Sequence, residues 1–376
     1  MGQLRSGGFE RPGKETLLNF SRNKWITAGL IGLLVLSAAF LGWAIWHSRQ
    51  RQPAAPATVA QTQTASSPPP PPTYKCPLDG TTQTDRNKTM NRPIVIQIDN
   101  APAARPQSGL SKADIVYEEM AEGQITRYNA IFACRDVDTV GPVRSARLID
   151  LELVPEYQAL LSNSGASSGT AAALKAASAD VPNLDDATVP SAYRRSSNRY
   201  APHNLYLNTA KLRTAAAGMG LSIQVAINGP QFKPDSPAPA QGRVNNIHVD
   251  YSPYADVTFN YDAGSNTWLR SVDGSPDMDD LTETQIAPKN VIIQYVDVTT
   301  SNIVEDENGS RGLEFAMTGN GKVEIFRDGQ AISGQWQRPA KSAVTTYIDA
   351  SGAVIPLDVG QTWVEVVPLN FQASWK

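Results

Sequence analysis

Two arginines three positions apart, in Gly141-Pro142-Val143-Arg144-Ser145-Ala146-Arg147, and the pair His203-Asn204 are the groups of this 376-residue chain best suited to chemistry. Asp99-Asn100 closes an apolar run, and Arg105 follows in a proline-flanked segment. Glu118, Glu119, Glu122 and Arg127 surround a tight Glu122-Gly123-Gln124 turn. Guanidinium groups grip carboxylates and phosphates through two parallel hydrogen bonds. Binding residues also concentrate on loops held by a rigid scaffold. Asp99, Asn100, Arg105, Glu122, Arg127, Arg144, Arg147, His203 and Asn204 therefore read as a cleft for an anionic ligand. The competing reading is that these arginines and acids pair among themselves and only hold loops in place.

His203 is the one weak candidate for catalysis. As a general base it would need Asp99 or Glu122 to orient it, with Ser145 or Ser164 as nucleophile. No flanking signature supports this, and Ser164 lacks the flanks of a nucleophile elbow. A lone histidine between Pro202 and Asn204 is more often a structural loop residue. Gly165 to Thr170 runs into a helix whose first amides could hold an anion, but it matches neither the P-loop nor the dinucleotide fingerprint. The acidic run Asp273 to Asp280 fails the spacing of a calcium loop and reads as a solvated turn. Histidines and cysteines are too few and scattered for a metal centre, so no metal and no cofactor is expected. Cys76 and Cys134 lie 58 residues apart. In an oxidising compartment they could pair, which chain entropy values at about 4 kcal/mol; two separate buried thiols are the alternative.

These residues need elements to hold them. Pro93 to Asp99, Ala113 to Met120 and Ile125 to Ala133 are rich in β-branched residues and read as strands. Arg147 to Tyr157 and Thr170 to Ala179 read as helices, with Gln158 to Ser162 a strand between them. A further helix spans Asn208 to Ala217, with Asn208 as its N-cap and Gly218 as its stop. Beyond the proline-rich break at 230–240 the pattern becomes short strands with Asn320-Gly321, Asp328-Gly329 and Ser351-Gly352 as turn signals. The expected fold is α+β: a mixed α/β domain at 76–239, then a mainly antiparallel β domain at 240–376, a sandwich or open barrel.

Ahead of both lies an apolar run. Ile26 to Trp46 holds 21 residues without a charge, enough helix to cross a bilayer of about 30 Å. Trp25, Trp43 and Trp46 sit near its ends, where indoles favour the interface. Arg5, Arg11, Lys14, Arg22 and Lys24 precede it and only Arg49 and Arg51 follow closely, which places the N-terminus in the cytoplasm. The layout is then a cytoplasmic tail (1–24), a transmembrane helix (25–47), a Pro/Ala/Thr-rich spacer (48–75) and the two outer domains. Cleavage after Ser37-Ala38-Ala39, as in a signal peptide, is the rival.

Net charge is −3, but residues 240–376 carry 9 basic against 18 acidic groups. Such an acidic part repels nucleic acid and anionic polymers. The partners expected are the membrane, through Ile26 to Trp46, and a cell-wall fragment or envelope protein.

Several segments carry a resemblance. Arg92 to Ala133, Gly141 to Arg147 and Ala201 to Tyr206 in the first half, with Asn290 to Tyr295, Phe326 to Trp336 and Gly360 to Pro368 in the second, resemble the YerB family. The resemblance covers about 290 residues. It implies an extracytoplasmic bacterial protein, often lipid-anchored, with two consecutive domains of unknown function. This chain departs from the lipid-anchored members in having an apolar span in place of a lipid-modified cysteine. It also carries Ser162 to Gly169 where a histidine-bearing glycine-rich loop is expected. The combined reading is a membrane-anchored binding or scaffolding protein of the cell envelope. A wall-directed hydrolase or transferase using His203 is the alternative.

Overall fold

Apolar β-branched runs dominate the central strands, and their burial on both sides explains why. The computed structural model describes residues 25–50, 72–239 and 241–376, with side chains from residue 37 onward. The expected tail at 1–24 and the spacer residues 51–71 lie outside the described residues.

Helix α1 (Trp25–Arg49) belongs to its own unit and is 25 residues long. Phe40, Leu41, Trp43, Ile45 and Trp46 are each more than half exposed along it. Among the described residues no helix is long and apolar enough to cross a membrane. The described side chains of α1 begin only at Ser37, so the span over Ile26 to Trp46 rests on the sequence.

The second unit, Pro70–Lys376, is built on strands β1 (Ile94–Asp99), β2 (Ile115–Met120), β3 (Thr126–Phe132), β4 (Leu160–Ser162), β5 (Tyr193–Arg195) and β6 (Leu205–Leu207) in its first half. Helices α2 (Asp150–Glu156), α3 (Ser168–Ala176) and α4 (Thr209–Gly218) lie among them. The second half adds β7 (Asn246–Ser252), β8 (Ala255–Asp262), β9 (Thr267–Val272), β10 (Ser275–Pro276), β11 (Asn290–Val296), β12 (Val298–Val304) and β13 (Arg311–Phe315). It ends with β14 (Gly319–Arg327), β15 (Gln330–Arg338), β16 (Thr346–Ile348), β17 (Thr362–Pro368) and β18 (Ser374–Trp375).

Nine strands form one sheet in the order β16-β15-β14-β11-β17-β2-β3-β1-β4. Strand β17 runs parallel to β2 on one side and to β11 on the other, so the two halves of the sequence are stitched through the middle of a single sheet. A five-stranded antiparallel sheet, β10-β9-β8-β7-β18, covers one face. Ile94, Ile96 and Ile98 of β1 join Val249, Phe259 and Trp268 in the core on that side. Val95 points the other way, into a second core with Leu153 of α2 and Leu174 of α3, as the two-residue period of a strand requires. Two facing sheets thus form, but one is shared by both halves, so the second half is not by itself the sandwich or open barrel expected of it.

Local signals act unevenly. Asn208 caps α4, its side chain accepting from Lys211 N at 2.9 Å. Asp328-Gly329 makes the β14–β15 hairpin turn with φ of 51° and 67°, the positive values such a dipeptide favours. Asn320-Gly321 is not a turn: it lies inside β14 opposite Gln337 and Trp336. A Cβ on Gly321 would sit 2.6 Å from the Trp336 indole nitrogen and 2.9 Å from Tyr295 O. The glycine is there for close approach to a neighbouring strand.

Candidate functional site

Asp99 ends β1 and faces Arg127 of β3 directly across the ladder. Its carboxylate is almost wholly buried and meets four groups, three through hydrogen bonds and Arg144 through an ion pair alone. Arg127 Nη1 lies 3.0 Å from Oδ1, which also accepts from Ala101 N at 3.1 Å. Arg144 Nε and His203 Nδ1 both approach Oδ2, at 3.1 and 2.8 Å. Burial pushes the Asp99 carboxyl up, but Arg127, the Ala101 N–H, Arg144 and His203 together outweigh it and hold it below the ordinary range.

Asp99 therefore anchors two side chains that reach solvent. Arg144 is 30% and His203 23% exposed. Among the described residues the Arg144 Nη atoms and His203 Nε2 make no hydrogen bond. The anchoring leaves one guanidinium edge and one ring nitrogen facing outward. Their backbones are fixed too. Arg144 N donates to Gln97 O at 2.8 Å, and His203 N donates to Tyr200 O at 3.0 Å.

Asp99 is the end of a register row across the sheet. Gln294 of β11 pairs with Val366 of β17, Val366 with Glu119 of β2, Glu119 with Arg127, and Arg127 with Asp99. Strands β11, β17, β2 and β1 all run the same way, with antiparallel β3 between the last two, so the row marks the carboxyl ends of these four. Glu119 is buried and accepts from Asn129 Nδ2 at 3.0 Å. Burial and then nearby Asp150 push its carboxyl well up. Asp150, at the start of α2, accepts from Arg147 N at 2.8 Å and is raised by burial to about 7.

The other expected ligand residues go elsewhere. Arg127 is 4% exposed and spent on Asp99; burial, with Arg147 and Arg144 nearby, lowers it to about 10. Arg147 closes side-on over Glu122, with Nη2 2.8 Å and Nε 2.9 Å from Oε2. Asn100 and Arg105 bond to each other at 3.0 Å, and Arg105 continues to Tyr254 O at 2.8 Å and to Asp273, tying the β1 end to the second half. Asn204 holds its own loop, accepting from Arg195 and donating to Ser196 O and Arg199 O. Ser145 Oγ donates to Ser164 O at 3.1 Å and Ser164 Oγ to Asp186 at 3.2 Å; neither hydroxyl bonds His203.

Asp273 to Asp280 is largely the exposed turn expected, with Asp273-Gly274 at its tip, but Asp277 and Asp279 point inward and are buried. Asp277 pairs with buried Arg270, and Asp279 accepts from Gly109 N at 2.8 Å and Ser111 N at 2.7 Å. Arg270, which sequence reasoning missed, also binds Glu118 at 2.6 Å and stacks 4.6 Å from the Trp363 ring centre. Its β-strand context carries no local sign that a charge sits between two sheets. Cys76 and Cys134 form a disulfide. Asp79 and Asp114 lie beside it within ligand distance of one another, but Arg135 bridges them and the sulfurs are oxidised, so these residues do not fit a metal site.

Residues 78–222 match the N-terminal domain, and residues 247–364 the C-terminal domain, of a protein family of unknown function, DUF3048. The chain is 34% identical over 297 residues to "Putative lipoprotein YerB" of Bacillus subtilis strain 168, covering 78% of this chain and 86% of that protein. This chain belongs to the YerB family. The crystal structure of YerB protein from Bacillus subtilis superposes with a TM-score of 0.70 at 31% identity, over 81% of this chain and 99% of that one. The family has two consecutive domains of unknown function, and the central sheet drawn from both is the fold that positions Asp99.

Proposed function

We propose that this chain is a membrane-tethered extracytoplasmic protein of the bacterial cell envelope that binds an anionic group through Arg144 and His203. The lipoprotein name of its Bacillus relative supports an anchored, outward-facing protein. The uncharged run Ile26 to Trp46 supports a single-pass span, and the five basic residues ahead of it, Arg5 to Lys24, support an N-terminus inside. The 76–239 and 240–376 parts would then work outside.

One observation carries the binding reading: the buried Asp99 carboxylate orients two solvent-reaching cationic or hydrogen-bonding groups with one oxygen. Side chains held in place in advance lose little entropy on meeting a ligand. Arg127 holds Asp99 across the ladder, while Arg147 and Glu122 pair with each other, so these three are not contact residues in this reading. The test is calorimetric titration of the full chain in detergent with inorganic phosphate. Arg144→Ala and His203→Ala should each weaken binding about tenfold or more with the circular dichroism spectrum retained. Unchanged affinity in both variants overturns the reading.

The Asp99–His203 contact of 2.8 Å also favours a second reading, in which His203 acts as acid or base on cell-wall material. It has no nucleophile in place, since Ser145 and Ser164 bond elsewhere. Loss of a wall-hydrolysing or transferring activity in His203→Ala, with phosphate binding kept, would favour it.

A further inference from the structure

Two exposed tyrosines lie in turns bonded to the segment that leads away from Asp99. Tyr200 is 92% exposed and Tyr254 is 51% exposed. Neither sits on a loose loop. Arg199 donates to Ala104 O and Pro106 O, both at 2.6 Å, and so pins the Tyr200 turn to the 102–107 segment. The turn is closed by His203 N on Tyr200 O at 3.0 Å, which keeps the two α-carbons of Tyr200 and His203 within about 7 Å. In the β7–β8 turn Arg105 holds Tyr254 O at 2.8 Å, and Ser252, at the head of that turn, donates to Gln124 O at 2.5 Å. Arginines thus tie both tyrosines to the 102–107 segment that follows Asp99, with Tyr200 three residues before His203 and the Tyr254 carbonyl on Arg105, which also bonds Asn100.

Resting on the anion-binding reading, we infer that the ligand is a glycan with one acidic ring held by Arg144 and His203 and further rings laid against Tyr200 and Tyr254. A tyrosine face offers a flat apolar surface with a polar tip, which suits the apolar face and hydroxyl rim of a pyranose. A bare anion would leave both rings unused. The acidic second half, 9 basic against 18 acidic residues over 240–376, disfavours a densely charged polymer. A sparsely charged saccharide meets both conditions, whether its acid is a carboxylate or a phosphate.

The probes are an aldobiouronic acid (one carboxylated ring joined to one neutral ring), a sugar monophosphate, cellobiose, inorganic phosphate, a hexauronate and a nucleoside monophosphate, each titrated into the full chain in detergent. One of the two acidic sugars should bind about tenfold or more tighter than both inorganic phosphate and cellobiose; which one identifies the acid. Tyr200→Ala and Tyr254→Ala should each cut that binding several-fold while leaving phosphate binding in place, and Tyr200→Phe should restore it. Acidic sugars no tighter than phosphate, or indifference to both alanine variants, overturn the glycan inference while the anion site stands. Tighter binding of the hexauronate or of the nucleotide overturns it as well. Failure of every anion to bind overturns the site itself.

Discussion

Asp99 shows how one buried carboxylate can set a surface. Its partners are drawn from β3, from the segment after Gly141-Pro142 and from the turn at Tyr200, and only the first is near in the ladder. The residue types were legible in the sequence as a set of arginines, acids and one histidine. Their division into exposed donors and buried supports was not, because it depends on side-chain burial that spacing cannot report. Arg144 and Arg147 are alike in sequence, yet one reaches solvent and the other closes over Glu122. Asp150 gives a pH test at this scale. Burial raises it to about 7, above an unfolded value of about 3.9. A raised carboxyl stabilises the fold fully below the unfolded value and loses that contribution as pH rises toward 7. Asp150→Asn, which can still accept from Arg147 N, should flatten the fall in urea midpoint between pH 4 and 7. An unchanged slope would show that Asp150 is not held protonated.

Among elements, the central strands were the most readable, since Ile94–Asp99 and Asn290–Val296 are rich in β-branched residues with few polar interruptions. Asn208 and Asp328-Gly329 also act as their chemistry suggests. Gly321 does not, because a glycine demanded by a neighbouring indole looks the same in sequence as one demanded by a turn. The disulfide ties the segment at Cys76 to the residue just past β3, across 58 positions. Loop closure over that length is worth about 4 kcal/mol. The double variant Cys76→Ser, Cys134→Ser should lose about that much in chemical denaturation, and adding reductant to the wild type should reproduce it. A loss under about 1 kcal/mol would mean that the unfolded chain gains little freedom when the bridge is cut.

At the scale of the molecule, the two family domains share one sheet, with β17 from the second half lying between β2 and β11. Composition shifts near 230–240 suggested a boundary, and they cannot reveal that strands cross it, because parallel pairing joins residues more than 240 positions apart such as Glu118 and Glu365. Residues 76–239 made alone would expose the β2 edge and strip the cover from Val116 and Tyr128. That fragment should be insoluble or lack a cooperative melt, whereas 72–376 should unfold in one transition. Two separate transitions in the longer chain would contradict the shared sheet.

The anion site itself is tested most directly through its histidine. The chain has three histidines, so selective labelling yields three imidazole signals, assignable by replacing each in turn. Inorganic phosphate added to the full chain in micelles should move the His203 signal saturably, leave those of His47 and His248 in place, and lose its effect in Arg144→Ala. A His203 signal that stays fixed, or that moves no more than the other two, would contradict an anion site at Arg144 and His203.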